Sequence, residues 1–197
     1  MKTMQRVRVI CATAILAGLV TTGAAMAQAH AGTPPTAPAG SGQANVPTGP
    51  AAEVQHYYAG VKANILKSAT EMPDDAYPFK PEPDIRTFAR VVNHVTEAQL
   101  RSCGAVNHTA AADLFKVPAE TADKATILEA LKASFAECDK AYASATDTNL
   151  AEMFTLGKAS RSRVGLLWGN ASHDNEQYAT LALYMRLKGL TPPSSEK

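Results

Sequence analysis

Residues 172–196 read SHDNEQYATLALYMRLKGLTPPSSE. Stepped at 100° per residue, this stretch and the residues before it carry a stripe through Leu166, Asn170, His173, Gln177, Leu181, Tyr184 and Leu187. Gly189 closes the pattern, and Pro192 and Pro193 lie beyond it, so a long last helix is predicted over 160–188. His173 and Gln177 are i and i+4, which stacks their side chains on the face turned toward the core. Polar groups on such a face are costly unless each finds a partner.

Three further helices are predicted upstream. The first spans 51–70, with Val54, Tyr57, Tyr58, Val61, Ile65 and Ala69 at helical spacing. It stops before EMPDDAYPFKPEPDIR, where Pro73, Pro78, Pro81 and Pro83 forbid regular helix. The second covers 86–104 with a stripe of Phe88, Val91, Val92, Val95, Ala98 and Ser102. A looser segment, 105–120, separates it from the third, which runs over 121–145 from Thr121 as N-cap. The short piece DTNLAEMF is expected to open on Asp147 as another cap. No run of β-branched or aromatic residues alternates strictly, which argues against a sandwich, barrel or parallel sheet. The expected architecture is an all-α four-helix bundle over 51–190, with a short tail at 191–197.

The chain has 197 residues, 46% of them hydrophobic and 19% charged, with 19 Lys plus Arg against 18 Asp plus Glu. A net charge of +1 without a basic cluster gives no basis for nucleic-acid binding. Lys2, Arg6 and Arg8, the apolar run Val9–Val20 and the small-x-small site Ala25-Met26-Ala27 read as a signal peptide over 1–27, cleaved after Ala27. The apolar run falls short of the ~20 residues a membrane span needs, although an uncleaved anchor is the competing reading. Cys11 lies inside it without a lipoprotein-like context. Cleavage leaves 16 basic against 18 acidic residues, a net charge of −2. The chain is therefore expected in the periplasm or outside the cell, with no stable membrane insertion after cleavage. Residues 28–50, rich in Pro, Ala, Gly and Thr and including His30, read as a flexible linker.

Two cysteines remain after cleavage, Cys103 and Cys138. An even pair in an oxidising compartment favours a disulfide. The alternative is two reduced, buried cysteines acting as small hydrophobes. No CxxC or Cys-His spacing supports a metal role for the pair.

His94 lies on the margin of the second helix's stripe, so two helices can offer His94, His173 and Gln177 as converging donors. By spacing alone the pattern is weak, because a lone histidine on an apolar face is more often a hydrogen-bonded core residue than a ligand. His56 falls on the outer face of the first helix and His108 in the irregular connection, both read as solvated. Ser172 reads as a helix-surface serine, and Trp168 and Tyr178 as packing groups. Arg161, Arg163 and Arg186 either frame a pocket mouth for an anion or, the more ordinary reading, are solvated charges.

The segments YAGVKANILKSATEMPDDAYPFKP, IRTFARVVNHVTEAQLRSC and LLWGNASHDNEQYATLALYMRLKGLTPPSSE together resemble the DinB-like superfamily of metal-binding four-helix bundles. The last segment is similar to an HxxxHYGxxxxYLRxxGxxPPxS ending found in one subgroup. The resemblance implies a divalent metal, zinc or nickel, on three histidines: one from the second helix and two from the HxxxH turn. His94 and His173 match two of them, while Gln177 stands at the third. A neutral amide oxygen is a poorer ligand for zinc or nickel than an imidazole nitrogen. Glu97, Asp174 or Glu176 are the carboxylates able to compensate, though none lies squarely on the stripe. The activity implied is metal-dependent hydrolysis of an unknown small molecule. Export argues against the family's thiol-transferase branch, whose thiols are cytosolic. Relatives commonly form homodimers. The alternative function is a non-catalytic binding or scaffold bundle with a degenerate metal site.

Overall fold

Three of the four helices begin on a side chain that caps a free backbone amide. In the computed structural model, which describes residues 48–196, helices α1 Pro50–Glu71, α2 Phe88–Val106, α3 Lys124–Ala143 and α4 Arg163–Leu187 form the body of the molecule. The predicted signal peptide and nearly all of the predicted linker lie outside the described residues. Thr87 accepts from Arg90 N at 3.0 Å, Asp123 from Thr126 N at 2.7 Å and Ser162 from Gly165 N at 3.2 Å. Such caps contribute about 1 kcal/mol each. The predicted starts therefore shift. α3 is capped by Asp123 rather than Thr121, and α4 begins at Arg163 because residues 160–162 belong to a strand.

α1 receives its cap from a distance. Gly49 precedes it at φ 98° and offers no side chain, so Ala51 N donates to Asp147 Oδ1 at 2.8 Å. A Cβ at Gly49 would stand 2.1 Å from that carboxylate, which explains the glycine. Asp147 thus caps the first helix of the bundle. It does not open a helix of its own, since the residues around it form turns.

Paired residues give the helix directions. Gln99–Ser134 and Cys103–Cys138 step the same way along α2 and α3, so these helices run parallel. Cys103 beside Asn170 and Gln99 beside Asp174 step in opposite senses, so α2 and α4 are antiparallel. Gln55 on Tyr142 and Lys62 on Asp139 do the same for α1 and α3. The bundle is up-down-down-up, and the long connection 107–123 returns the chain for the parallel pair. Glu137 holds the start of that connection by accepting from Asn107 Nδ2 at 2.8 Å and Thr109 Oγ1 at 2.5 Å.

Tyrosines tie the core together, each burying a ring and spending its hydroxyl on a neighbouring element. Tyr58 and Tyr142 stack with ring centroids 3.8 Å apart. Tyr142 donates to Leu167 O at 2.6 Å, linking α3 to α4. Tyr184 donates to Arg86 O, and Tyr178 to Ser194 Oγ at 2.7 Å. That last bond, with the ion pair Lys67–Glu196, docks the C-terminal residues onto the bundle around a 3₁₀ turn at Pro193–Ser195.

An antiparallel hairpin, β1 Met153–Leu156 and β2 Ala159–Ser162, precedes α4 and is not foreseen by the sequence reading. Its strands are too short to establish an alternation, and only Phe154 is buried. Gly157 at φ 63° makes the tight turn. Arg163, expected to be solvated, is buried here and holds the hairpin base by donating to Glu152 Oε2 at 2.5 Å and Ser144 Oγ at 2.8 Å.

Cys103 and Cys138 form a disulfide between α2 and α3, with both residues fully buried and Cα atoms 4.9 Å apart. Closing a loop with a sequence separation of 35 stabilises by about 3–4 kcal/mol in the chain-entropy model. We predict that the Cys103→Ala/Cys138→Ala protein loses ~3 kcal/mol in urea denaturation; a loss under ~1 kcal/mol would mean that helix packing suffices without the bond.

Candidate metal centre

α4 buries most of its predicted stripe: Leu166, Asn170, Gln177, Leu181 and Tyr184 are buried, while His173 and Leu187 are not. Its fully buried residues are Leu167, Ala171, Asp174, Leu181, Tyr184 and Met185, and Leu187 is 53% exposed. Apolar residues circle this helix, Trp168, Leu183 and Leu187 among them, so periodicity fixes its orientation poorly. The centre of the buried face is rotated toward Asp174. His173 therefore stands at the margin, its side chain 27% exposed.

This rotation brings His173 to His94. Their Nε2 atoms are 3.2 Å apart, and the rings meet edge to face with centroids 5.0 Å apart. The other nitrogen of each ring faces a carboxylate. His94 Nδ1 lies 3.5 Å from Glu97 Oε2, and His173 Nδ1 lies 3.8 Å from Asp174 Oδ1. Glu97 and Asp174, read from sequence as substitute ligands, thus sit behind the histidines rather than between them. Glu176 is exposed and takes no part.

Each carboxylate is held in turn. Arg90 forks onto Glu97, with both Nη atoms 3.1 Å from its oxygens. Asp174 is fully buried and accepts from Gln99 Nε2 at 3.1 Å, while Gln99 Oε1 accepts from Ser134 Oγ at 2.6 Å. Asp174 Oδ1 and His173 Nδ1 have no hydrogen-bond partner other than each other's vicinity. Gln99 and Ser134 escaped the sequence reading, although Gln99 follows Val95 and precedes Cys103 by four residues on one face of α2.

Burial moves the titrating groups. It lowers the His94 pKa below the ordinary histidine value, helped by Arg86, His173 and Arg90 and opposed by Glu97, which favours the neutral, ligating imidazole. Burial pushes the Asp174 carboxyl up, against the opposing influence of the neighbouring His173 ring and the hydrogen bond from Gln99. If each Nδ1 proton points at its carboxylate, both Nε2 lone pairs face one another across 3.2 Å. Two lone pairs repel at that distance unless a positive centre, a proton or a metal ion, lies between them.

Gln177 is buried one turn beyond His173 and makes no side-chain hydrogen bond among the described residues. Among the described residues, no group of three or more His, Cys, Asp or Glu is placed to hold a metal ion. His56 and His108 are exposed, as expected, with the His108 ring 5.4 Å from that of Phe154. Trp168 is half exposed beside Tyr57, and Arg186 donates to Ser195 Oγ at 2.8 Å.

A four-helix bundle with paired histidines on α2 and α4 defines the class of protein. The sequence profile of the DinB superfamily matches residues 57–181, and the chain belongs to that family. Two crystal structures are similar in fold. One is a DinB-like protein from Bacillus cereus, with a TM-score of 0.59 and 17% identity, covering 71% of this chain and 93% of that one. The other is a DinB-like protein from Bacillus subtilis, with a TM-score of 0.55 and 14% identity over the same shares. No functionally curated protein matches the chain.

The raised Asp174 pKa has a sign that can be checked. The folded state binds this proton more tightly than the unfolded chain, so the group's stabilising contribution is present at low pH and falls as pH rises above the ordinary carboxylate value. In metal-stripped protein, the stability difference between wild type and Asp174→Asn should therefore shift against wild type as pH is raised from about 4 toward 8. A pH-independent difference in urea denaturation would mean that Asp174 ionises normally in the core.

Proposed function

We propose that this chain is an exported, metal-binding DinB-superfamily protein that works as a metal-dependent hydrolase of a small molecule. The observation that carries the reading is the convergence of His94 and His173 Nε2 at 3.2 Å with a carboxylate behind each ring. Two nitrogens each ~2.0–2.1 Å from a tetrahedral ion stand about 3.3–3.4 Å apart, close to the separation seen here. The carboxylates occupy the supporting positions that orient metal-bound histidines and raise their basicity. Two neutral imidazoles suit zinc or nickel. His94 and His173 would hold the ion, with the Gln177 amide oxygen as third donor.

Such an ion supplies Lewis acidity and acidifies water. The chain's own contribution is to hold both rings with Nε2 forward, through Glu97 and Asp174, and to keep His94 neutral. Export to the periplasm or beyond agrees with the buried Cys103–Cys138 bond, since disulfides persist in oxidising compartments. It also disfavours the thiol-transferase branch. A homodimer, common among relatives, belongs to the same proposal.

Gln177 favours a second reading, a non-catalytic binding bundle whose metal site has degenerated. Elemental analysis of the untagged mature chain separates the two. Near one equivalent of zinc or nickel is expected, abolished by His94→Ala or His173→Ala and bound 10–100-fold more weakly after Asp174→Asn. No metal after reconstitution, with uptake only in Gln177→His, would establish the degenerate site instead.

A further inference from the structure

A cleft of about 580 Å³ opens where the hairpin lies over the seam between α2 and α4, and His173 is among the residues that line it. That volume suits a small organic molecule. Leu156 of β1 and Leu166 of α4 give it apolar walls, and the helix surface at Gly169 leaves it open, since a Cβ there meets nothing within 4 Å. Two cations line it, Arg101 from α2 and Arg161 from β2, and no Asp or Glu does.

These two arginines differ from their neighbours in being uncommitted. Arg90 is forked onto Glu97 and Arg163 onto Glu152. Among the described residues, neither Arg101 nor Arg161 has a carboxylate partner, and the only side-chain hydrogen bond of Arg161 is a 3.4 Å contact to Ser160 O. Arg101 also lines a recess of about 150 Å³ at His94 and Glu97, so it spans the openings to both histidines. A guanidinium without a carboxylate of its own, beside apolar walls, is a receptor for a planar anion that brings an apolar body with it.

We propose that this cleft binds a small organic carboxylate, its charged group held by Arg101 and Arg161, its apolar body along Leu156 and Leu166, and one end against His173. The inference names the ligand class of the proposed metal site and rests on that reading only for placing the reacting end at His173. Gly169→Leu supplies an obstruction: the new side chain enters open space, and the exchange improves helix propensity.

The test is a titration of the ¹⁵N-labelled mature chain with hexanoate and with hexanamide, in metal-stripped and zinc-treated forms, followed by amide chemical shifts. Hexanoate should produce saturable shifts at Ala159, Gly165 and Gly169 in both forms. Hexanamide should bind about tenfold more weakly or worse, as should hexanoate to Arg101→Gln/Arg161→Gln. Gly169→Leu should abolish the shifts while retaining the wild-type melting temperature. Absence of saturable shifts, equal binding of acid and amide, or indifference to Gly169→Leu would overturn the proposal. Hexanoate binding by a chain that takes up no zinc would sink the metal reading alone; zinc uptake without hexanoate binding would sink this one alone.

Discussion

The structure depends on the hydrogen bond from Gln99 Nε2 to Asp174 Oδ2, made across α2 and α4 at 3.1 Å with both residues fully buried. A carboxyl in such a place is expensive without a partner, so the two helices must meet at this register. Ser134 extends the constraint to α3 by donating to Gln99 Oε1. The next rung along the parallel pair is the Cys103–Cys138 bond, four residues further on each helix. One polar rung and one covalent rung thus fix three helices, and His173 comes to His94 because its neighbour Asp174 is pinned.

The same register divides the labour between polar groups. Asp174 spends one oxygen on Gln99 and keeps the other facing His173 Nδ1. Glu97, at the surface, is steadied by Arg90 instead. The two histidines are therefore supported from opposite sides, one from the dry core and one from the solvent edge. Whatever sits between their Nε2 atoms meets rings whose orientation is set in advance. In the proposed site Gln177 would bring an amide where an imidazole is the stronger ligand, and the support behind His94 and His173 does not depend on it.

Much of this was legible in the sequence. The four helices, the pairing of Cys103 with Cys138 and the meeting of α2 with α4 near His94 and His173 follow from periodicity, cysteine arithmetic and the family pattern. Three features were not legible, for separate physical reasons. The hairpin at 153–162 is too short for an alternation to register, and a glycine turn decides it. The rotation of α4 is hidden because apolar residues surround that helix, so the stripe leaves Asp174 off the core face when it lies at its centre. The role of Asp147 spans 96 residues of sequence, a tertiary cap that local patterns cannot reveal. Arg101 carries no signal in the sequence, because an arginine on a helix is ordinary and only the fold places a cleft beside it.

In the proposed site both Nε2 atoms face one cation while both Nδ1 atoms are turned to carboxylates. Long-range ¹H–¹⁵N correlation of the imidazoles of ¹⁵N-histidine-labelled protein, before and after zinc, tests it most directly. Nδ1–H forms are expected for His94 and His173 in the zinc-treated protein, with zinc shifting the Nε2 resonances of both. An Nε2–H form that persists in either ring, or a shift confined to one histidine, would contradict it.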